Sequence, residues 1–263
     1  MRHIDLESAP DQPEAWKRLE SKHRAGLVGL EDGDGREYVR SNAGWSTLKT
    51  WLSALSGEKC WYCEASSRRA VFDVDHYRPK LAVTVDGAAV VSHPGYWWLA
   101  FDSRNYRLAC QTCNRPSTAV AVAAGKRNEF PLREESCRVV SAGGTLEAEE
   151  PRLLDPCVEE DTKLLSHYLD GEVRSRDPAP SWESSRAQYT IILLRMNDPV
   201  VTEYKRGRWQ DISTMIRLAD LSGEVDEVQA RLKALLDPNA EYGSFWRAAI
   251  ETHSDKPWVA ALL

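Results

Sequence analysis

The sequence predicts an α+β fold in which a small cysteine-bearing core lies between two helical flanks. Two cysteine pairs stand near short runs that alternate between apolar and polar residues, a pattern typical of strands. Apolar residues at three- and four-residue steps, which are typical of helices, occur before and after that core. We therefore divide the chain into an N-terminal helical region over residues 1–56, a core over residues 57–133 and a mostly helical region over residues 134–263.

The N-terminal region ends in the stretch "EYVRSNAGWSTLKTWLSAL". One face of the helix predicted there is formed by Trp45, Leu48, Trp51, Leu52 and Leu55. Within the core, "LAVTVDGAAVV" predicts a hairpin with its turn at Asp86 and Gly87. The apolar run "GYWWLAF" predicts a core-facing helix or turn.

The C-terminal region begins with a Gly- and Glu-rich segment, residues 134–150, that is typical of a linker or loop. The stretch "SHYLDGEVRS" then predicts a second small hairpin. A Ser-capped helix is predicted in "SWESSRAQYTIILLRM". Two further helices are expected over residues 199–221 and 224–236.

Composition places the chain among globular proteins, with 42% hydrophobic and 28% charged residues. No stretch approaches the roughly 20 consecutive apolar residues that span a bilayer. Because the first residues are polar and acidic, we expect no signal peptide and a cytoplasmic location. Cysteines in that compartment serve as thiols or metal ligands rather than as disulfides.

Charge is spread unevenly along the chain. The net charge of −6 argues against a protein that coats nucleic acid generally. Residues 57–133, however, carry eleven Lys and Arg residues against seven Asp and Glu residues. A basic centre within an acidic chain suits a site that faces phosphate.

The two Cys-x-x-Cys pairs, Cys60 with Cys63 and Cys110 with Cys113, are the strongest local signal. Two-residue spacing lets both thiolates of a pair reach one ion, and two such pairs complete a closed tetrahedral zinc site. The alternatives are a redox Cys-x-x-Cys and four cysteines that merely fill the core. Because two matched pairs are present, we predict structural zinc. Cys137 and Cys157 lack this spacing and are read as ordinary thiols.

A set of catalytic residue types lies next to these cysteines. Asp75 and His76 follow the first pair, Asn105 precedes the second, and Asn114 follows Cys113 directly. Asp75 and Asn114 offer the oxygen ligands that a hard cation such as Mg²⁺ prefers. His76 could then act as general base on a water molecule.

The elements "DVDHYRP", "NYRLAC" and "CQTCN", in this order, resemble the HNH (ββα-metal) endonuclease motif in its zinc-stapled form. The motif would occupy about residues 60–131. The resemblance implies that Asp75 and Asn114 bind a catalytic Mg²⁺ or Mn²⁺ ion and that His76 is the general base. It also implies that Asn105 orients the first strand and its histidine, and that the products carry 5′-phosphate ends.

Further elements resemble the HNH nuclease subunit of Septu anti-phage systems and related nucleases found beside some retrons. They are "CWYCE", "VDHYRPK", "YWWLAFDSRNYRLACQTCN", "GKRNEFPL", "RLLDPC", "HYLDGEV" and "TIILLRMN". This resemblance implies a defence role and an ATPase partner of the ABC/SMC type. The stretch "RPSTAVAVAA" is longer than the step usual in that family.

Other charged residues allow two readings each. Arg78, Lys80 and Lys126 are candidate phosphate contacts, although Lys and Arg residues at such positions are often only solvated. Asp73 alternates with Asp75 along the strand and is either a carboxylate that supports the site or an exposed one.

The sequence thus predicts a metal-dependent HNH endonuclease acting on nucleic acid, with DNA favoured over RNA. Two alternatives stay open: a nuclease directed at RNA such as tRNA, and a non-catalytic zinc-ribbon module that binds nucleic acid or a partner. The zinc-ribbon module would need the four cysteines but neither the Asp-His pair nor the two asparagines.

Overall fold

Helices form the N-terminal region of the computed structural model, which describes residues 1–66, 72–90, 92–116 and 125–263. They are α1 (Glu14–Leu27), α2 (Asp32–Ser41) and α3 (Lys49–Leu55). A 3₁₀ turn (Trp45–Leu48) leads into α3. Leu48 and Leu52 are fully buried, so the predicted apolar face does pack into the core.

The centre of the molecule is a two-stranded antiparallel sheet followed by a short helix. Strand β1 is Asp73–His76, and the hairpin of β2 (Thr84–Val85) and β3 (Ala88–Ala89) comes next. Strand β4 (Tyr106–Ala109) pairs with β1 and runs directly towards α4 (Gln111–Asn114). This β1–β4–α4 order is a small ββα unit in an α+β fold.

The predicted hairpin turn is confirmed at Asp86 and Gly87, which join β2 to β3. Both residues have positive φ, 50° and 81° respectively. Positive φ at both central positions is what a two-residue hairpin turn of the favoured hand requires.

The C-terminal region is mostly helical, as predicted. It contains a short helix and a hairpin, α5 (Glu159–Thr162), β5 (Leu165–His167) and β6 (Val173–Ser175), and then five helices: α6 (Trp182–Leu193), α7 (Pro199–Ser222), α8 (Asp226–Leu236), α9 (Gly243–Glu251) and α10 (Pro257–Ala260). Ser181 caps α6 by accepting the backbone N–H of Ser184, which confirms the predicted Ser cap.

Two main hydrophobic cores hold the described residues together, and a third, small cluster joins α1 and α2 to the stretch from Trp97 to Phe101. The larger one combines side chains of the N-terminal helices, the ββα unit and the chain as far as Met196. The smaller one lies among α7, α8, α9 and α10 and includes Trp209 and Phe245. The larger core contains residues from both sides of position 133, with Leu153 to Met196 on the C-terminal side. The domain boundary at residue 133 therefore stays a prediction.

The segment of residues 134–150 is more firmly packed than its composition predicts. Its two 3₁₀ turns are Glu135–Cys137 and Leu146–Ala148, and each is followed directly by a buried charged residue, Arg138 and Glu149 respectively. Glu149 accepts hydrogen bonds from Tyr96 and from the backbone N–H of Val139. The segment is a loop with two 3₁₀ turns, which agrees with the loop interpretation, but it is packed against the core through these contacts, which have no signature in local composition.

In the described part of the chain, none of the helices combines the length and the apolar character that a membrane crossing requires.

Candidate active site

The four cysteines of the two predicted pairs meet at one point. Their Sγ atoms all lie within 4.8 Å of one another, and Cys63 Sγ is 3.7 Å from Cys110 Sγ. Four thiolates at about 2.3 Å from a tetrahedral zinc ion would be separated by about 3.8 Å, so the donor set fits. The cluster could bind a metal such as zinc. Cys137 and Cys157 are not members of it.

The cysteine cluster ties the start of the core to its end. The backbone N–H of Trp61, inside the first pair, donates to the carbonyl of Leu108 on β4. The backbone N–H of Asn114 donates to the carbonyl of Cys110. A bound ion would therefore fix β1, β4 and α4 relative to one another.

Asp75 lies on β1 with its carboxylate buried between two donors. The Tyr62 hydroxyl donates to Oδ2 at 2.7 Å, and the Lys126 ammonium donates to Oδ1 at 2.8 Å. Burial, with the adjacent Asp75 charge, raises the pKa of Tyr62 well above its ordinary value, so its hydroxyl stays a donor. Each carboxylate oxygen keeps a further lone pair for a cation.

His76, the next residue, is buried with its two ring nitrogens in different environments. Nε2 lies 3.0 Å from the Ala100 carbonyl oxygen, which can only accept, so the proton is on Nε2. Nδ1 then carries the lone pair and lies 3.3 Å from the Lys80 ammonium. Burial, reinforced by Lys80, holds the pKa of His76 well below its ordinary value. The ring is therefore neutral near pH 7 and able to take up a proton at Nδ1.

Asn114 ends α4 and contacts the first residue of β1. Its Nδ2 donates to Asp73 Oδ2 at 3.1 Å. Arg115 also binds Asp73, donating from two guanidinium nitrogens at 2.8 Å each. Burial alone would raise the pKa of Asp73, but the hydrogen bonds from Arg115 and Asn114 outweigh it and lower that pKa.

One cavity of about 340 Å³ brings the central residues together. Asp75, His76 and Asn114 line it, together with Lys80, Arg115 and Arg127. The lining thus contains a carboxylate and an amide oxygen for a hard cation, a neutral imidazole, and three cationic side chains. This combination can bind a phosphate ester and accept a proton beside it.

Asn105 lies outside the cavity lining and acts on the backbone that follows His76. Its Oδ1 accepts the backbone N–H of Arg78 at 2.8 Å, and its Nδ2 donates to the Arg78 carbonyl at 3.0 Å. Asn105 therefore fixes the chain two residues beyond His76. Its role as the orienting asparagine stays a prediction.

The three candidate phosphate contacts occupy different surroundings. Lys80 lines the cavity, and burial lowers its pKa to about 8. Arg78 instead donates from Nε to the buried Glu149 at 2.7 Å. Lys126 is fully buried, with its Nζ on Asp75 and on the His76 carbonyl oxygen. Lys126 therefore pairs with Asp75 and does not face solvent. This geometry disfavours a phosphate contact by Lys126.

The fold brings three further residues to the site: Tyr62 and Trp45, to which sequence reasoning assigned no catalytic role, and Arg127, which was a weaker candidate phosphate contact. Tyr62 stands between Cys60 and Cys63, and its position inside that pair is the signal that could have revealed it. Trp45 packs edge-on against the His76 ring at 5.1 Å and under the Lys80 ammonium at 4.6 Å, a contact that no local pattern shows. Arg127 lines the cavity with a left-handed backbone, φ 47°.

The unusual stretch of residues 115–124 is only partly described. Residues 117–124 lie outside the described residues, so the effect of the extra length stays open. Beyond them, the backbone N–H groups of Lys126 and Arg127 donate to the carbonyls of Cys113 and Asn114. The chain therefore returns to the end of α4 before it continues.

Comparison with known proteins relates this chain to a Septu protein. It is 31% identical over 146 residues to Septu protein PtuB of Bacillus mycoides (strain KBAB4). The matched region covers 55% of this chain and 46% of that protein, so the chain spans about half the length of the relative it matches. No family model matches the chain. The Septu relationship expected from the motifs is thus supported.

Proposed function

We propose that this protein is a metal-dependent HNH-type endonuclease that hydrolyses phosphodiester bonds of nucleic acid. The observation that carries the proposal is the convergence of Asp75, His76 and Asn114 on one cavity next to a four-cysteine cluster. These residues are separated by up to 39 positions in sequence, and the β1–β4–α4 unit brings them together.

Asp75 and Asn114 would hold a Mg²⁺ or Mn²⁺ ion through their side-chain oxygens. When bound, the ion supplies positive charge that stabilises the negative charge developing on the phosphate and the leaving oxygen. The donor set fits this cation, because carboxylate and amide oxygens are the ligands that hard cations prefer. Tyr62 and Lys126 keep the Asp75 carboxylate in place.

His76 would act as the general base. Its Nε2–H is held by the Ala100 carbonyl, and Nδ1 accepts from the Lys80 ammonium at 3.3 Å. When Lys80 turns to the phosphate, Nδ1 would accept the proton of the attacking water molecule. The water oxygen then forms the new bond to phosphorus, and the bond to the 3′ oxygen breaks. Proton transfer to a positioned side chain typically contributes about 10²- to 10⁴-fold to the rate.

Lys80 and Arg127 would contact the scissile phosphate and its neighbours. Both line the cavity, and Lys80 reaches it from the same side as His76 Nδ1. Contacts of this kind bind the phosphate backbone without reading the base sequence. DNA is the favoured substrate, and RNA, which presents the same phosphodiester, is the second.

The likeness to a Septu protein supports a role for the proposed activity in anti-phage defence. We include in the proposal an ATPase partner of the ABC/SMC type, because the sequence motifs resemble a subunit that works with one. Activity of the isolated chain could therefore depend on that partner and on nucleotide.

The test compares cleavage by the wild type, His76→Ala and His253→Ala. Plasmid DNA and total tRNA are incubated with each protein and Mg²⁺ or Mn²⁺, with and without an ATPase encoded beside the gene, and with ATP. His253 is the matched control, because it lies near the end of α9 and bonds Ser213 rather than the cavity. Zinc content is measured for all three proteins, so that loss of the fold is not mistaken for loss of catalysis.

We expect cleavage by the wild type and by His253→Ala, and a loss of at least about 100-fold in His76→Ala at equal zinc content. The substrate that is cut identifies the nucleic-acid class. Equal cleavage by His76→Ala would contradict the proposed base. No cleavage of either substrate under any of these conditions would favour the non-catalytic zinc module.

A further inference from the structure

The side-chain amide of Asn114 can serve a cation through only one of its two ends. The carbonyl oxygen Oδ1 is an acceptor, whereas the NH₂ group is a donor and repels a cation. A rotation of about 180° exchanges the two ends in space. Whether Asn114 is a ligand is therefore decided by the group that holds its NH₂ end.

That group is Asp73. Asn114 Nδ2 donates to Asp73 Oδ2 at 3.1 Å. An ionised carboxylate only accepts hydrogen bonds, so it binds the NH₂ end of the amide and rejects the oxygen end. The hydrogen bond consequently selects one of the two amide orientations.

Asp73 is itself held by a two-point contact. Arg115 donates from Nε to Oδ2 at 2.8 Å and from a terminal nitrogen to Oδ1 at 2.8 Å. A guanidinium that binds both oxygens of a carboxylate fixes its plane as well as its position. The carboxylate that Asn114 contacts is thus a rigid acceptor.

The placement of Asp73 follows from the strand. Asp73 and Asp75 are two residues apart on β1, so their side chains emerge on the same face. Asp75 and Asn114 are among the residues that line the cavity, and Asp73 is not. Asp75 is therefore placed to touch a cation, whereas Asp73 is placed to touch the second ligand.

We propose that Asp73 is a positioning residue that holds Asn114 with its amide oxygen presented to the catalytic cation, and that Arg115 keeps Asp73 in place. The inference rests on the proposed function, since it concerns the cation held by Asp75 and Asn114. Partners that orient metal ligands in this way typically account for 10- to 100-fold in metal affinity.

The experiment measures Mn²⁺ binding to the full zinc-loaded chain by isothermal titration calorimetry, with no substrate present. The variants are Asp73→Ala, Asn114→Ala, the double variant that combines these two, and Asp75→Ala, which removes the proposed carboxylate ligand. Asp73→Asn is included because it keeps an acceptor oxygen for Asn114 and is nearly isosteric, which protects the test if Asp73→Ala fails to fold. The control is Glu150→Gln, which removes the carboxylate that pairs with exposed Arg133 away from the cavity.

We expect Asp73→Ala to weaken Mn²⁺ binding 10- to 100-fold, Asp73→Asn to weaken it less, and Glu150→Gln to leave it unchanged. The double variant should bind as weakly as Asn114→Ala alone, because Asp73 has nothing to position once the amide is absent. A merely structural role would not make the effect of Asp73→Ala depend on Asn114.

Two results would overturn the inference while leaving the proposed function intact. One is unchanged Mn²⁺ affinity in both Asp73 variants while Asn114→Ala binds weakly. The other is a further loss when Asp73→Ala is added to Asn114→Ala, which would make Asp73 a ligand in its own right. If Asp75→Ala and Asn114→Ala both bind Mn²⁺ as the wild type does, the proposed cation site fails, and this inference fails with it.

Discussion

At the scale of single residues, the site depends on which charged side chains are free to act and which are already engaged. Asp75 is buried together with Lys126, and each of the two side chains is the other's hydrogen-bonded partner away from water. Arg78 is similarly engaged with Glu149, whose side chain is fully buried. Lys80 is the candidate phosphate contact that lines the cavity, and its ammonium lies there 3.3 Å from His76 Nδ1.

Alanine substitutions should therefore separate Arg78 from Lys80, which the sequence treats alike. Arg78→Ala leaves Glu149 with Tyr96 and the Val139 N–H as its remaining donors, so we expect a loss of about 1–3 kcal/mol in the free energy of unfolding. Lys80→Ala should cost little stability but raise KM for the nucleic-acid substrate and weaken its salt dependence. Urea denaturation and cleavage at two salt concentrations measure these effects.

The two variants serve as controls for each other, because both replace a cationic side chain within five residues of His76. A large stability loss in Lys80→Ala with a normal KM would contradict the role of Lys80 in substrate binding. A raised KM in Arg78→Ala without a stability loss would contradict the structural role of Arg78. Equal effects of both variants on KM would mean that Arg78 leaves Glu149 when substrate binds.

At the scale of elements, the short return of the chain after residue 124 locks α4 against the rest of the core. Gly125 donates its N–H to the Leu193 carbonyl, and the next two N–H groups donate to Cys113 and Asn114. This segment places Lys126 under Asp75 and Arg127 at the cavity. A four-residue helix cannot hold its own orientation by internal hydrogen bonds alone, so these external ones decide where Asn114 lies.

Gly125 is the position in this segment where a side chain cannot be tolerated. Its φ is 91°, and an added Cβ would lie 1.9 Å from the Arg115 carbonyl oxygen. We expect Gly125→Ala to lose at least about 1–3 kcal/mol of stability and to reduce cleavage, because Lys126 and α4 must both shift. Gly143→Ala is the control, since its Cβ would meet no atom within 4 Å and its φ is unremarkable for an L residue. Equal midpoint temperatures of thermal unfolding for Gly125→Ala and Gly143→Ala would contradict this account.

The elements that the sequence predicted are those with a local signature. Alternation and turn residues identified the hairpins, three- and four-residue spacing identified the helices, and the cysteine spacing identified the four-cysteine cluster. The burial of Lys126 was missed because its partner Asp75 lies 51 positions earlier. The packing of Glu149 was missed for the same reason, since its partner Arg78 lies 71 positions earlier.

At the scale of the whole molecule, the C-terminal helices are attached to the turn that carries the first cysteine pair. Lys59 donates to the carbonyls of Pro238 and Ala240. The Glu64 carboxylate accepts the backbone N–H of Ser244 at the start of α9. Buried polar contacts thus join the smaller hydrophobic core to the cysteine cluster. A substitution that destabilises one of them should also destabilise the other.

The hairpin between the two cores contains a histidine that links stability to pH. Burial, reinforced by the positive charges of the N-terminal ammonium and of Lys205, lowers the pKa of His167 to about 3. Within the described residues, its Nδ1 is buried without a hydrogen-bond partner, and its ring packs edge-on against Phe245 of the smaller core. The folded protein therefore keeps this ring neutral at pH values where the unfolded chain, with a pKa near 6.5, takes up a proton.

The stability that the neutral His167 ring contributes should therefore be fully present above about pH 6.5. It should be lost progressively as the pH falls towards the folded pKa of about 3. Between pH 7.5 and pH 5.0 the loss from His167 is up to about 2 kcal/mol, because one pKa unit corresponds to about 1.4 kcal/mol. Urea unfolding of the wild type and of His167→Gln at both pH values tests this, since glutamine does not titrate. The change in the free energy of unfolding between pH 7.5 and pH 5.0 should be smaller in His167→Gln than in the wild type, by up to about 2 kcal/mol. Acid release of zinc from the cysteines affects both proteins alike, so an equal pH dependence in the two would mean that His167 is accessible to protons in the folded state.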